Sequence, residues 1–273
     1  MKKYNKWLKV LVLLGFVVFL TACGSTQEAV NAESTGLWDR YIIYNLSQLI
    51  LWLSNLFGGS YPLGIAVFTI IIRALLLPLF QMQIKTQRKT QELQPELDAI
   101  KAKYPNKDRA SMEAMQEEQQ ALMQDRGVNQ FVGCLPMLIQ LPVMMALYQA
   151  ILRTEELRQG NFLWMNLGQP DPYFVLPVIA ALLTFATTYF SMKSNPVQNT
   201  MTKSMTFVSP LMILLIGFTL PSAIALYWVI SNAFTLAQTF IFNNPYKIIA
   251  EREAKAEAEK EKQRELKRQL RRA

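Results

Sequence analysis

The chain has 273 residues, of which 51% are apolar and 18% charged, with a formal net charge of +8. It holds no histidine and two cysteines, Cys23 and Cys134, which leaves no material for a histidine-based triad, a His/Cys zinc site or a disulfide framework. The apolar residues come in long blocks with the charges confined between them, as in a chain that crosses a membrane repeatedly rather than a soluble domain with a buried core.

Lys2, Lys3, Lys6 and Lys9 precede a short apolar run, Leu11 to Leu20, which is followed by Thr21-Ala22-Cys23-Gly24. This is the tripartite build of a secretory signal. Its ending resembles a bacterial lipobox, with small residues before a cysteine. That motif implies removal of residues 1–22, a diacylglyceryl thioether on Cys23 and an outward-facing mature amino terminus in a bacterial cell membrane. The alternative is an uncleaved signal anchor, for which the apolar run is short. No cofactor other than that covalent lipid is expected. Residues 23–36 are polar and read as an extracytoplasmic tether.

Residues 37–60 mix Trp38, Tyr41, Tyr44 and Trp52 with Leu, Ile and interleaved Asn, Ser and Gln, the composition of an amphipathic helix lying at the interface. Gly58-Gly59-Ser60-Tyr61-Pro62 breaks it. Residues 61–83 hold the first span and 84–130 a charged segment. Residues 131–152 form the second span, 153–172 a loop, 173–192 the third span and 193–206 a short polar loop. Residues 207–220 and 222–242 form the fourth and fifth spans, hinged at Pro221, and 243–273 form a basic tail with helical spacing. Lys and Arg number 20 in the segments 84–130, 193–206 and 243–273, against 3 in 24–62 and 153–172. The positive-inside rule therefore puts the first group in the cytoplasm, with the amino terminus outside and the carboxyl terminus inside.

In the segment 84–130, Leu93, Leu97, Ile100 and Tyr104 recur at helical spacing, as do Met112, Met115, Gln119 and Leu122. A two-helix hairpin with a narrow seam fits this pattern, with Asn106 or Asp108 ready to cap its second helix. A solvated linker is the plainer alternative.

Arg73 is the one ionisable residue clearly inside a span, within Ile70-Ile71-Ile72-Arg73-Ala74-Leu75-Leu76-Leu77-Pro78. An arginine at a helix centre costs about 2.5–3.5 kcal/mol on insertion scales, so it must meet water or polar partners, or snorkel to the interface. Other spans supply polar groups: Gln140 in the second, Thr184 and Thr188 on one face of the third, Trp228 and Asn232 in the fifth. Arg73, Gln140 and Asn232 are the set expected to share a polar cavity, whereas isolated Thr and Ser more often bond within or between helices. There is no nucleotide-binding motif, metal constellation or activated nucleophile, so an enzyme is not expected.

Taken together, these residues resemble the YidC/Oxa/Albino family of membrane protein insertases. The resemblance rests on Arg73 followed by Leu75-Leu76-Leu77-Pro78, on the charged hairpin after it, on Gly133-Cys134-Leu135-Pro136-Met137-Leu138-Ile139-Gln140-Leu141-Pro142, and on Ala225-Leu226-Tyr227-Trp228-Val229-Ile230-Ser231-Asn232. It covers roughly residues 37–245, and the lipobox resembles the Gram-positive form. It implies an all-α fold of five transmembrane helices around a hydrophilic groove open to the cytoplasm. It also implies a groove lined by Arg73, Gln140, Thr184, Thr188, Trp228 and Asn232. The family often has a glutamine in the third span, where this chain has threonines. Implied partners are nascent membrane proteins as substrates, the Sec translocon and membrane lipids; the basic tail, with ten Lys and Arg against six Glu, suits the ribosome by charge alone and an anionic lipid surface equally well. A small anion channel using Arg73 and a non-transporting assembly scaffold are the rival classes.

Overall fold

A computed structural model describes residues 28–271 except 107, 130, 195–199 and 243. The signal segment 1–22, Cys23 and the start of the tether lie outside the described residues. The chain divides into two compact units. The first comprises residues up to Leu75, Cys134–Val178 and Leu215–Ile230; the second comprises Leu76–Gly133, Ile179–Leu214 and Ser231–Ala273.

In the first unit, a π-helical stretch, Trp38–Tyr44, runs into α1, Asn45–Leu56, and a tight reversal leads to α2, Tyr61–Leu75. The two helical segments are bent by 114°. Gly58 and Gly59 make the reversal at φ 67° and 81°, conformations that cost glycine nothing. Gly64 lets α2 lie directly on α1: a Cβ there would stand 2.8 Å from the Ile50 carbonyl oxygen and overlap Ser54 Oγ. The polar residues at this contact are satisfied internally. Ser47, Ser54 and Thr69 donate to the carbonyls of Ile43, Ile50 and Ile65, one turn earlier.

The helix α2 ends at Leu75, and α3, Leu77–Glu92, begins with Pro78 in its first turn. One helix through the whole of 61–83 is therefore not what forms. Proline has no N–H for the Ala74 carbonyl and its ring crowds that turn, so the helix breaks at Leu76.

The remainder of the first unit is α6, Phe131–Arg153, from Cys134 onward; a short α7, Glu155–Gln159; and a two-residue hairpin, β1, Asn161–Phe162, with β2, Met165–Asn166. It also includes the start of α8, Val175–Lys193, the end of α9, Thr200–Gly217, and the first half of α10, Ser222–Phe242. The stretch 153–172 is thus an ordered cap rather than an open loop. Leu157, Met165 and Leu167 are buried in it. Gly160 and Gly168 permit close approach, since a Cβ would stand 2.7 Å from the Tyr61 ring and 2.6 Å from the Arg158 carbonyl oxygen respectively. The cap fastens to α10: Ser222 N and Oγ both donate to Gln169 O at 2.7 Å, and Ala223 N donates to Leu167 O at 3.1 Å. Met165, Leu176, Ala225 and Leu226 form one core cluster; Ile43, Ala146 and Ala150 form another, with Val30, Trp38 and Leu46 packed on it.

In the second unit, α3 is followed by α4, Gln94–Lys103, and α5, Arg109–Asp125. Asp108 caps α5 by accepting from Ser111 N at 3.1 Å. The far end of α5 closes on Gly127 at φ 63°, with Val128 N donating to Met123 O and Gly127 N to Gln124 O, the paired bonds of a Schellman cap. That cap draws Val128 and Met123 into a small core with Leu93 and Leu97. The seam therefore runs through Met123, with Leu122 at its margin and Met112 exposed, one position off the spacing read from the sequence.

An aromatic chain joins elements of this unit. Phe207 meets Phe185, Tyr189 meets both Phe185 and Phe190, and Phe190 meets Phe240 and Tyr246. The tail is one helix, α11, Pro245–Leu270, capped by Asn244. Among the described residues, α8 and the helix beginning at Ser222 are each long and apolar enough to cross a bilayer, and the bent pair ending at Leu75 qualifies if taken as one span. Leu138–Arg153 and Lys203–Gly217 are apolar but shorter.

Candidate functional site

Arg73 lies in the last turn of α2, half-buried. Its Nη2 donates to Gln140 Oε1 on α6 at 3.4 Å, and Gln140 Nε2 donates to Tyr227 Oη on α10 at 2.7 Å. The order of this relay follows from what each group can offer. A guanidinium only donates, so the amide turns its oxygen to Arg73 and its NH2 to the phenol. The first bond is long, and the short second one holds the amide firmly. Tyr227 and Trp228 are both buried among the apolar residues of α10. Three elements remote in sequence thus bring one cation, one amide and one phenol together within the first unit.

Trp228 belongs to the first unit as well, whereas Thr184, Thr188 and Asn232 belong to the second. Thr184 and Thr188, on α8, donate their hydroxyl protons to the carbonyls of Ala180 and Thr184 at 2.7 and 2.8 Å. Thr235, on α10, does the same to Ser231 O at 2.8 Å. These hydroxyls are spent on their own helices and keep only acceptor lone pairs for anything else. Asn232 is half-buried on α10. Ser231 is buried, and its Oγ has no hydrogen-bond partner among the described residues. Cys23, the expected lipidation position, is outside the described residues.

Two polar clusters escape a reading of the sequence. Tyr227 does not stand out within Ala225-Leu226-Tyr227-Trp228, since aromatic residues are common in apolar helices; only the partner Gln140 reveals its role. The second cluster joins residues more than a hundred positions apart. Arg153 makes a two-pronged pair with Asp39, Nη2 to Oδ2 at 2.8 Å and Nη1 to Oδ1 at 2.9 Å, and donates Nε–H to Glu28 O at 2.8 Å. Trp38 Nε1 donates to Gln149 Oε1 at 3.1 Å beside it. This cluster clamps the segment 28–40 onto the end of α6.

Apolar helices too long for a small soluble core, with an arginine held among them by an amide and a phenol, define a polytopic helical membrane protein with a polar site inside its helical body. The family model of the 60Kd inner membrane protein matches residues 52–251, and the chain belongs to that family, that of the YidC insertases. It is 50% identical over 256 residues to the membrane protein insertase YidC of Enterococcus faecalis, covering 94% of this chain and 92% of that one. It is 52% identical over 239 residues to YidC 1 of Lactococcus lactis, covering 88% and 87%. It is 40% identical over 236 residues to the insertase MisCA of Bacillus subtilis, covering 86% and 90%. The crystal structure of an active YidC insertase, with its first transmembrane domain resolved, superposes with a TM-score of 0.60 at 30% identity. That match covers 76% of this chain and 47% of the other, so the chain spans about half the length of that solved protein. The family resemblance carried by Arg73 and the two span motifs is borne out, as is a helical membrane fold. Members of this family are insertases and chaperones rather than enzymes.

Proposed function

We infer that this chain is a membrane protein insertase, which places small integral membrane proteins into the bilayer and helps them fold. Its curated relatives carry that name over nearly their whole length. The observation that carries the mechanism is the Arg73–Gln140–Tyr227 relay. A membrane-embedded guanidinium that meets a neutral amide at 3.4 Å is a group to which an incoming carboxylate would bind more strongly, since a charge-assisted pair is about twice as strong as a neutral one.

In this reading, α2, α6, α8, α9 and α10 are five spans around a groove open to the cytoplasm. Arg73, Gln140, Thr184, Thr188, Trp228 and Asn232 line it. Water in the groove shortens the apolar path that a polar substrate segment must cross, and Arg73 holds an acidic substrate residue in transit. The apolar part of the substrate then moves into lipid, driven by burial at about 25 cal/mol per Å². No nucleotide is consumed. The hairpin α4–α5 receives the substrate, the basic tail α11 meets the ribosome, and the chain works alone or beside the Sec translocon. The amino terminus lies outside, tethered through diacylglycerol on Cys23, and the carboxyl terminus in the cytoplasm.

The test is insertion of two short substrates, one with acidic residues in its translocated segment and one without, in cells that depend on this chain. Arg73→Ala is expected to impair the acidic substrate most, and Arg73→Lys to restore it in part. Equal insertion of both substrates by Arg73→Ala would rule out the docking charge. Ion conduction by purified protein that cannot complement insertion would favour an anion channel.

A further inference from the structure

The cap between α6 and α8 is apolar on its outside as well as within. Leu163 and Trp164 form the tip of the β1–β2 hairpin, and Tyr173 and Phe174 lead into α8. All four are exposed, Leu163 by 74% and Tyr173 by 70%. Two of them are held in unfavourable backbone. Leu163 has φ 52° and Phe174 φ 59°, the left-handed region that bulky residues rarely enter. The first loop position of such a hairpin, when φ is positive, is where glycine is normally found. Here a leucine stands there, pointing away from the core.

The strain is maintained by Asp171, whose buried carboxylate accepts from Trp164 Nε1 at 2.9 Å, Tyr173 N at 3.1 Å and Leu176 N at 2.8 Å. One acidic side chain thereby fixes the hairpin tip, the aromatic pair and the first turn of α8 in one arrangement. Strain of this kind persists only where its surroundings over-determine it, and it clusters at functional surfaces.

The chemistry of what covers this surface follows from its charge and its neighbours. Between Arg158 and Lys193, Asp171 is the one Asp, Glu, Lys or Arg, and it is buried, so the cap from Gln159 to Phe174 presents no full charge. Its apolar surface is continuous with that of a helix fit to cross a bilayer. The Phe174 ring packs edge-on against Phe218 at 4.8 Å, and exposed Val178 follows one turn along α8. Trp and Tyr beside such a helix end favour the boundary of headgroups and acyl chains.

We propose that the hairpin tip and the Tyr173-Phe174 pair dip into the lipid leaflet beside the start of α8, anchoring the cap at the headgroup–acyl boundary. The occupant is bilayer phospholipid, and a neutral headgroup suffices. The proposed topology decides which leaflet this is; the insertion itself does not rest on it.

The full chain, reconstituted in phosphatidylcholine vesicles, gives the test. The Trp164 contribution to fluorescence is the difference between the native chain and Trp164→Phe. Lipid brominated near the headgroup is expected to quench it more than lipid brominated near the chain end, with weak quenching by aqueous acrylamide. Leu163→Asn keeps the left-handed turn, because asparagine tolerates it, and removes the apolar tip. That variant is expected to lower the lipid quenching of Trp164 by about twofold while melting in detergent no lower than the native chain. Trp164 emission open to acrylamide and indifferent to brominated lipid would overturn the proposal. So would quenching unchanged in Leu163→Asn, or protection that grows with the protein-to-lipid ratio, which would indicate a seam to a second copy.

Discussion

Asp39→Asn removes one half of the clamp between the amino-terminal segment and the end of α6. Arg153 is 8% exposed and Asp39 20% exposed, and both prongs of their pair are short, at 2.8 and 2.9 Å. With the carboxylate gone, the guanidinium keeps Glu28 O and Gln149 Oε1 as neutral acceptors. Breaking one side of a fully buried pair costs roughly 3–5 kcal/mol, because a charge is left uncompensated. The partial exposure of Asp39 and those two acceptors bring the expected loss to about 2–3 kcal/mol. For a chain of this size that is roughly 5–10 °C in melting temperature. Trp38, whose indole bonds to Gln149 beside the pair, supplies a fluorescence signal for unfolding in detergent. Arg153→Met retains the apolar stem, and the Asp39→Asn/Arg153→Met double variant closes a thermodynamic cycle. A coupling energy of about 1–3 kcal/mol is expected. Single variants that melt with the native chain, or costs that simply add, would show the clamp to be ornamental.

Tyr227→Phe leaves the Gln140 NH2 without its acceptor, at about 1–2 kcal/mol in stability. Insertion of an acidic substrate is expected to fall, by less than in Arg73→Ala, because the amide loses its anchor while the charge stays. Gly64→Val forces α1 and α2 apart at Ile50 and Ser54, costing roughly 1–3 kcal/mol or more, read as a lower melting temperature and faster proteolysis between residues 56 and 61. The hairpin α4–α5 is tied by Lys103 Nζ and Tyr104 Oη to Glu118, each at 2.9 Å. The hydrogen bond from Lys103, then that from Tyr104, lowers the Glu118 pKa from its ordinary 4.5, and the bond to Glu118 raises that of Lys103 above 10.5. The contribution of Glu118 is thus fully present above pH 4.5 and lost as pH falls through its lowered value; that of Lys103 is fully present below 10.5 and lost above its raised value. Amide protection in α4 and α5, taken relative to the intrinsic exchange rate at each pH, should therefore respond to pH only outside that window, and a change in protection between about pH 5 and 9 would contradict the assignment.

Hydropathy blocks and proline positions make much of this architecture legible from sequence. Block composition marks the apolar helices, and helical spacing marks the tail from residue 243, two residues before the helix begins at Pro245. Arg73 and Gln140 are visible because polar side chains in apolar runs demand an explanation. Tyr227 is not, because a phenol is compatible with lipid, core or bond alike. The Asp39–Arg153 pair is hidden for another reason: both residues sit where loops meet helices, where a charge needs no partner. The left-handed Leu163 and Phe174 could not be foreseen, since neither residue favours that conformation and only Asp171, fixed by the fold, enforces it.

Pro78 gives the break after α2 a consequence for the Arg73 substitutions. Having no N–H, it returns nothing to the Ala74 carbonyl, one residue beyond the arginine. A carbonyl oxygen left bare in hydrocarbon costs several kcal/mol, so this oxygen needs another donor, which water in the proposed groove would supply. In a groove of the kind proposed, the span would draw water at two adjacent points, one by a side chain that can be deleted and one by a main-chain atom that cannot. An Arg73→Ala chain would lose its cation and still hold water at that depth, so substrates without acids should continue to pass.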